Sequence, residues 1–489
     1  MNLREILNVV GLLLILLSAL FVVPLAAALF YAFPPFPGHL PETAALAWSA
    51  LLAGVTGLLL YGVLPKGIER FHGPEGYIIV VLAWGVIAFF GALPYYLSGI
   101  CTDFLDAYFE SMSGFTTTGA SLLGHLDSLP PALLLWRSMT QWLGGMGIIM
   151  LYLAVLHGAG AGARHLFRGE IPGGLTVDRM EARFGETARL LWKTYLMLTL
   201  FEVFLLIAMH LPLYDAVCLA FSTLSTGGFA PHALNMAYYT SPAVQWTVLV
   251  FMVLAGTNFL LHHQAVRGKF TPLWQNGEWR VYLGLILGVS LLVHGIRWFN
   301  TDGSNLPVFR DSAFTVVSIL TTTGFTTEDY TLWPAAVAPI LLVLMMIGGC
   351  SGSTAGAVKV IRIILLFKAV KRELLRMIYP QALVHVKVDE HPVDPDHLFN
   401  ALCLVALFGL LAGSGFVALA AMGLDWTTAL SASFACLFNV GPGMGAVGPA
   451  GGYAVIPDAG KLLLTLLMLM GRLEIYGVLL LFYPLTWKK

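Results

Sequence analysis

The chain has 489 residues, of which 58% are hydrophobic and only 11% are charged. A soluble protein carries about 25% charged residues, so this composition excludes an ordinary soluble domain and indicates a protein of the lipid bilayer. The net charge of -1 excludes the large basic surface that a nucleic-acid partner requires. The five cysteines form no C-x-x-C pair, which argues against both a disulfide framework and a zinc site.

Two apolar runs at the N-terminus, residues 6–32 and 44–64, predict membrane helices joined by a short Pro-rich turn. The first run is longer than the apolar core of a secretory signal, so we expect it to be retained. Together they predict a two-helix hairpin over residues 1–72.

Beyond the hairpin, one pattern occurs four times: a span, a short helix, a Thr/Gly-rich loop and a second span. The predicted spans lie at 77–97 and 132–156, at 190–209 and 244–261, at 281–293 and from 333, and at 398–421 and 462–482. Internal repetition of this kind predicts four similar units, over 73–163, 164–267, 268–387 and 388–489. The fold class is therefore an all-α polytopic membrane protein, with four pseudo-symmetric span–pore helix–span repeats around one pore.

The four loops predict a selectivity filter for a cation. An irregular backbone at membrane depth is tolerated where it lines a cavity, and its carbonyls can then replace the hydration shell of an ion. The candidate filter residues are Thr117, Thr118, Gly119, Thr226, Gly227, Thr322, Thr323, Gly324, Asn439, Val440 and Gly441. The candidate potassium ligands among them are Thr117, Thr118, Thr226, Thr322, Thr323, Asn439 and Val440.

The charges around the loops favour a monovalent ion. No acidic residue occurs within the four loops, whereas Ca²⁺ and Mg²⁺ prefer carboxylate oxygens. An aspartate lies near the start of each short helix, where it is expected to cap the helix. These four aspartates are Asp106, Asp215, Asp311 and Asp425. The negative C-terminal ends of the helices would then be directed at the cation.

Lysine and arginine predict the orientation. They concentrate in alternate connections between spans, which places both termini and those connections in the cytoplasm and implies ten crossings. The cluster Lys368, Lys371, Arg372 and Arg376 is either part of this topology signal or a docking surface for a cytosolic partner.

At these loops the chain resembles the Trk/Ktr/HKT superfamily of potassium transporters, and it is most similar to the membrane subunits of the Trk branch. The resemblance is carried by the stretches 109–114, 141–147, 221–223, 348–356 and 471–474, in addition to the loops. It implies potassium uptake at the cell inner membrane by a homodimer, with the potassium ion as cargo and no organic cofactor in this chain. It also implies a cytosolic regulatory subunit of the TrkA type that binds NAD or ATP. It places the filter glycines at Gly119, Gly227, Gly324 and Gly441.

Two features below the filter are candidates for gating. The segment containing Gly348, Gly349, Gly352, Ser353 and Gly356 interrupts a predicted span. It is either a helix-packing face of small residues or, as the superfamily implies, a flexible loop in the pore. Arg472 lies within a predicted span, where a charge is costly, so it faces either an ion-pair partner or the pore as an electrostatic barrier. A further pair, Glu110 with Arg137, is expected to lie behind the first loop.

Two other functional classes are alternatives to a channel-like transporter. A proton- or sodium-coupled secondary cation symporter remains the alternative, although inverted repeats are typical of such transporters and these repeats run in the same orientation. An enzyme is not expected, because no catalytic motif such as H-E-x-x-H or G-x-S-x-G occurs, and no catalytic residue is assigned.

Overall fold

A computed structural model describes residues 3–31, 33–36, 38–62, 73–158, 184–300, 306–382, 384–389 and 391–484. The α-helices are Leu3–Leu20, Val22–Tyr31, Glu42–Gly62, Gly73–Leu97, Phe104–Phe115, Pro131–Gly158, Phe184–Ala208, Leu213–Leu224, Pro242–Ala255, Phe259–Val266, Thr271–Gln275, Gly277–Asn300, Leu306–Leu320, Val337–Ile347, Val360–Ile378, Pro395–Ala421, Trp426–Leu437, Asp458–Arg472 and Tyr476–Phe482. Two short strands, Lys387–Val388 and His391–Pro392, pair antiparallel. The all-α prediction is confirmed.

The predicted N-terminal hairpin is present. Helices Leu3–Leu20 and Glu42–Gly62 approach so closely at Gly11 and Gly57 that a Cβ added to either glycine would lie within 3.0 Å of the other helix's backbone. The first predicted span continues through Phe21, whose ring centroid lies 4.3 Å from that of Trp136 in the first repeat. This contact attaches the hairpin to the four-repeat body.

A short helix precedes each Thr/Gly loop, as the sequence predicts: Phe104–Phe115, Leu213–Leu224, Leu306–Leu320 and Trp426–Leu437. The capping prediction is correct only for Asp425, whose carboxylate accepts a hydrogen bond from the Thr428 amide at 3.0 Å. Asp106, Asp215 and Asp311 lie inside their helices and are not N-caps. The Asp106 carboxylate instead binds the Lys461 ammonium at 2.6 Å, because its position in the first turn directs it sideways to the fourth repeat.

The second span is broken in three of the four repeats, whereas the sequence analysis predicted a break only in the third. In the second repeat, helices Pro242–Ala255 and Phe259–Val266 meet at an angle of 106°. In the fourth, Asp458–Arg472 ends and Tyr476–Phe482 begins after a turn in which Glu474 and Ile475 have φ of 54° and 62°. Left-handed backbone cannot continue an α-helix, so the predicted span 462–482 is not continuous. The predicted span 244–261 is interrupted by the 106° bend.

Among the described residues, six helices are long and apolar enough to cross a membrane, or seven if the bent pair counts as one span. They are Ile6–Tyr31, Glu42–Gly62, Gly76–Leu97, Arg189–Ala208, Gly277–Asn300 and Pro395–Ala421. The chain is therefore a membrane protein, while ten crossings and cytoplasmic termini remain predictions. Much of the predicted basic signal, namely Lys66, Arg70, Arg164, Arg168, Arg179 and Arg183, lies outside the described residues.

Candidate functional site

The four Thr/Gly loops (116–119, 225–228, 321–324 and 438–441) share one backbone conformation. The second residue of each loop is left-handed, with φ of 52° at Thr117, 55° at Thr226, 59° at Thr322 and 54° at Asn439. The fourth residue is a glycine with φ between 79° and 97° in every loop. Such φ values strain most residues, so their recurrence in four loops with three different sequences indicates one structural requirement met four times.

This repetition distinguishes Gly228 from Gly227, the second-loop residue that the resemblance places among the filter glycines. The left-handed glycines are Gly119, Gly228, Gly324 and Gly441, so Gly228 replaces Gly227 in the set. The amide of Gly227 bonds to the Ser222 carbonyl at 2.8 Å, as the amide of Thr118 bonds to that of Ser113 at 2.9 Å. Gly227 is therefore equivalent to Thr118. The second loop contains two consecutive glycines, and Gly228 is the one equivalent to Gly119.

The four loops close into a ring. A Cβ added to Gly119 would lie closer than 3.0 Å to the carbonyl oxygen of Gly227 in the next loop. The same holds for Gly228 against Thr323, Gly324 against Val440, and Gly441 against Thr118. Each loop thus contacts the next in chain order, and the fourth contacts the first. The direction of these contacts is the same at all four junctions, as expected of four repeats in one orientation around a common axis.

A cavity of about 100 Å³ lies on one side of this ring. All four left-handed glycines line it, together with residues of the segments that directly follow the first, second and fourth loops. Its lining contains the ionisable residues Arg137, His232 and Tyr453 but no carboxylate. In the described part of the chain, no group of three or more His, Cys, Asp or Glu side chains could hold a metal ion. The site therefore offers neutral oxygens rather than a carboxylate cage.

The side chains of the left-handed residues differ in what they bind. Thr117 Oγ1 and Asn439 Oδ1 are buried without a hydrogen-bond partner among the described residues. Thr322 Oγ1 accepts a hydrogen bond from the Gly356 amide at 2.7 Å, and Thr226 Oγ1 donates to the Ser225 carbonyl at 2.6 Å. A buried acceptor without a partner is unfavourable, so Thr117 and Asn439 are the side chains best placed to bind a dehydrated cation.

Gln141 supports the second loop from the first repeat. Its Nε2 donates to the Gly227 carbonyl at 2.6 Å, and its Oε1 accepts from the Phe229 amide at 3.0 Å. The side chain is fully buried. Among the ring carbonyls, that of Gly227 therefore has a hydrogen-bond donor within the protein. The other ring carbonyls, on Thr118, Thr323 and Val440, have no such side-chain donor among the hydrogen bonds of the described residues.

The predicted Glu110–Arg137 pair is confirmed. Arg137 Nε lies 2.6 Å from Glu110 Oε1, both side chains are buried, and the guanidinium stacks 3.4 Å above the ring of Phe229. Glu110 also accepts hydrogen bonds from Ser121 Oγ at 2.9 Å and from the Leu122 amide at 3.0 Å. The pair thus connects the first short helix to the loops that surround the cavity and neutralises the arginine that lines it.

Residues 348–359, here called the 348–359 loop, separate helices Val337–Ile347 and Val360–Ile378. Gly348, Ala357 and Lys359 have positive φ, so the segment is a loop and not a helix-packing face. Thr354 Oγ1 donates to the Leu224 carbonyl at 2.9 Å, at the end of the second short helix. A Cβ on Gly356 would lie 2.7 Å from the Phe438 carbonyl in the fourth Thr/Gly loop. The 348–359 loop therefore lies directly against the ring.

Arg472 ends its helix against this loop. Its Nη1 donates to the Thr354 carbonyl at 2.7 Å and its Nη2 to the Gly144 carbonyl at 3.2 Å. The guanidinium is buried, and no carboxylate of the described residues pairs with it. The neighbouring Glu474 instead holds Arg362 through two bonds of 2.9 and 2.7 Å. Arg472 is thus in the last turn of a helix rather than mid-span, and an interhelical ion pair does not account for it.

Glu278 holds both ends of the 348–359 loop. Its Oε1 accepts from the Ser351 amide at 2.7 Å and from the Ile361 amide at 3.1 Å. Glu278, Gln141 and Gly228 are not among the residues predicted from the sequence. Glu278 and Gln141 give no local signal, because their partners lie 73 and 86 residues away. Gly228 could have been found by counting six residues from Ser222, as Gly119 follows Ser113.

Comparison with known proteins agrees with this architecture. The family model for TrkH, described as a cation transport protein, matches residues 59–293 and 307–488. The chain belongs to the TrkH family. It is 37% identical to the Trk system potassium uptake protein TrkH of Salmonella typhimurium, with all of both chains covered. It is 35% identical to the Trk system potassium uptake protein TrkG of Escherichia coli, with 88% of each covered.

A solved structure extends the relationship to three dimensions. The potassium transporter TrkH from Vibrio parahaemolyticus matches with a TM-score of 0.89 and 33% identity, over all of both chains. Membership of the TrkH family confirms the resemblance and assigns the chain to transport proteins rather than enzymes. The roles of individual loop, gate and partner residues remain predictions.

Proposed function

We propose that this chain mediates potassium uptake across the cell membrane through the ring of four loops. The relatives carry potassium uptake in their names. The observation that supports the proposal best is the closed ring itself, in which the carbonyls of Thr118, Gly227, Thr323 and Val440 each abut a glycine of the neighbouring loop. No residue larger than glycine fits where each of these carbonyls meets the neighbouring loop. The four carbonyl oxygens therefore form one narrow constriction.

In this proposal, a potassium ion loses water at the constriction and gains backbone carbonyl oxygens in return. Thr117 Oγ1 and Asn439 Oδ1 add side-chain oxygens on the side nearer the short helices. The cavity contains no carboxylate, which favours a weakly hydrated monovalent ion over a divalent one. The fourth loop reads Phe-Asn-Val-Gly where the first and third read Thr-Thr-Thr-Gly, so fewer hydroxyl oxygens are present than in a symmetric filter.

The 348–359 loop and Arg472 form the proposed gate. The loop packs against the ring through Thr354 and Gly356, and Arg472 holds the loop at the Thr354 carbonyl. A buried guanidinium near a cation pathway opposes the passage of potassium by charge repulsion. Flow then requires both the loop and the arginine to move.

The proposed setting is the cell inner membrane, with both termini cytoplasmic, a homodimeric assembly and membrane lipid around it. The relatives are named as parts of a Trk system, which supports a partner; we assign it to a TrkA-type cytosolic subunit that binds NAD or ATP. Helix Val360–Ile378 exposes Lys371 and Arg376 at the end predicted to be cytoplasmic, where such a partner would dock.

Uptake of potassium and of sodium into proteoliposomes tests the proposal. In Gly324→Ser the new Cβ would lie closer than 3.0 Å to the Val440 carbonyl, so we expect the preference for potassium to be lost. Gly124→Ala is the matched control, because a Cβ there meets nothing within 4 Å. An unchanged ion preference in folded Gly324→Ser would contradict the assignment. Uptake that requires a proton or sodium gradient would support the coupled symporter instead.

A further inference from the structure

A cavity of about 530 Å³ lies at the end of the molecule predicted to be cytoplasmic, and it shares no lining residue with the cavity at the four-loop ring. Its walls come from the first turn of helix Gly277–Asn300, from helix Val360–Ile378 and from the strand Lys387–Val388. Ligand sites for small molecules commonly measure about 300–1,000 Å³. The cavity is therefore large enough for a ligand of more than one functional group.

Basic side chains enter this cavity from all three elements: Arg280, Lys368 and Lys387. The observed bonds of Lys368 and Arg280 are to backbone carbonyls. Lys368 Nζ donates to the Lys387 carbonyl, and Arg280 Nη2 donates to the Gln275 carbonyl at 3.3 Å. A lysine has three donors and an arginine five, so most of the donor capacity here is unused by these bonds.

The two carboxylates in the lining are already engaged. Glu278 Oε1 accepts two backbone amides, those of Ser351 and Ile361, and Asp389 Oδ1 accepts the Gly277 amide at 2.9 Å. One oxygen of each carboxylate thus binds backbone amides, and the three basic side chains outnumber the two carboxylates. Such a site favours an anion with several acceptor oxygens, since charge-assisted bonds from lysine and arginine suit phosphate. Apolar side chains of Val281, Ile364 and Val388 complete the walls.

We propose that this cavity binds a phosphate-bearing ligand with an apolar portion. The shared chemistry is a phosphate group held by Arg280, Lys368 and Lys387, with the apolar portion against the valine and isoleucine side chains. Two sources supply such a group at a membrane surface: the headgroup of an anionic phospholipid, or a nucleotide from solution.

Occupancy of the cavity is coupled to the 348–359 loop through Glu278, which belongs to both. A phosphate bound beside Glu278 repels its carboxylate and weakens the bonds to Ser351 and Ile361 that hold the ends of the loop. A ligand that binds more tightly when the loop is released shifts the population toward that state. The ligand therefore increases potassium flux. This coupling, unlike the binding itself, depends on the proposed function.

Binding is tested with the full chain in phosphatidylcholine nanodiscs. ATP is titrated by calorimetry, and phosphatidylglycerol is offered in the disc and detected as retained lipid by native mass spectrometry. One probe is expected to bind, and Lys368→Gln or Arg280→Gln should weaken it about tenfold, as the loss of one charge-assisted bond implies. Lys371→Gln, on the same helix but outside the cavity lining, should not. Binding of neither probe, or equal binding by all variants, overturns the site.

Coupling is tested by potassium flux in phosphatidylcholine vesicles, with and without the probe that binds. Flux should rise with the probe in the native chain, and Glu278→Gln should bind the probe without this rise, because a neutral amide is not repelled. If the native chain binds the probe and its potassium flux does not change, the coupling is wrong, whereas the proposed binding site still stands. Absence of potassium flux from every preparation would instead count against the proposed function.

Discussion

Arg472 Nη1 donates a hydrogen bond of 2.7 Å to the carbonyl oxygen of Thr354, which joins the end of a fourth-repeat helix to a third-repeat loop. The same segment joins the break in the second repeat: the Cys350 amide bonds to the Gly256 carbonyl at 2.8 Å, and the Phe259 amide to the Gly352 carbonyl at 3.1 Å. The helix breaks of three repeats therefore meet at one place beneath the ring. Backbone bonds join the second and third breaks, and the Arg472 side chain joins the third and fourth.

Replacement of Arg472 by Ala should raise potassium flux. The substitution removes two charge-assisted bonds, each worth about 1.5–3 kcal/mol, so the closed arrangement should lose tenfold or more in population. Stopped-flow potassium uptake in proteoliposomes measures the change. Arg472→Lys keeps the charge but cannot bridge both carbonyls, and should give an intermediate flux. Equal flux in all three folded proteins would remove Arg472 from the gate.

Replacement of Gln141 by Leu should reduce discrimination between potassium and sodium. It leaves the Gly227 carbonyl and the Phe229 amide without their buried partner, at a cost of about 1–3 kcal/mol each, so the second loop should relax out of the ring. The ratio of potassium to sodium uptake reports the change. Gln245→Leu is the control, because this buried glutamine binds the Met236 and Tyr239 carbonyls outside the ring. A ratio that falls equally in both variants would indicate general destabilisation.

Replacement of Glu110 by Ala should destabilise the fold by about 3–5 kcal/mol, because it leaves the Arg137 guanidinium buried without its carboxylate. Thermal unfolding in detergent, followed by tryptophan fluorescence, measures the loss. The double variant Glu110→Ala with Arg137→Met removes both charges and should lose less than the sum of the single variants. Strict additivity would mean that the pair contributes no coupling energy.

Replacement of Asp425 by Ala should lower stability by about 1 kcal/mol at neutral pH through loss of a helix cap. Hydrogen bonds from the Thr428 side chain and amide lower the pKa of the Asp425 carboxyl in the folded state. The contribution of this charge is therefore present above the unfolded pKa and is lost as pH falls through the folded pKa. The difference in unfolding temperature between native and Asp425→Ala should shrink in acid. Asp425→Asn retains a neutral cap, so its deficit at neutral pH should be smaller.

The sequence predicted the repeat unit because each part has a local signal: an apolar run of spanning length, a short apolar segment, and a Thr/Gly loop. It did not predict the breaks at 256–258 and 473–475. Glu474 and Ile475 are not residues that favour a left-handed backbone. They adopt it where long-range bonds hold Arg472 to the Thr354 carbonyl and Glu474 to Arg362. Local propensity is a weak guide where tertiary contacts determine the conformation.

Composition and periodicity alone determined that this is a helical membrane protein with four loops of similar chemistry and no acidic residue among them. Each of those properties depends on residues that are consecutive in the chain. Tertiary structure alone decided which glycine of the second loop belongs to the ring and which carbonyl each glycine abuts. It also decided that Gln141, Glu278 and Arg472 support the ring and the loop beneath it. These partners lie tens to hundreds of residues apart in the chain, so only the folding of four repeats around one axis brings them into contact.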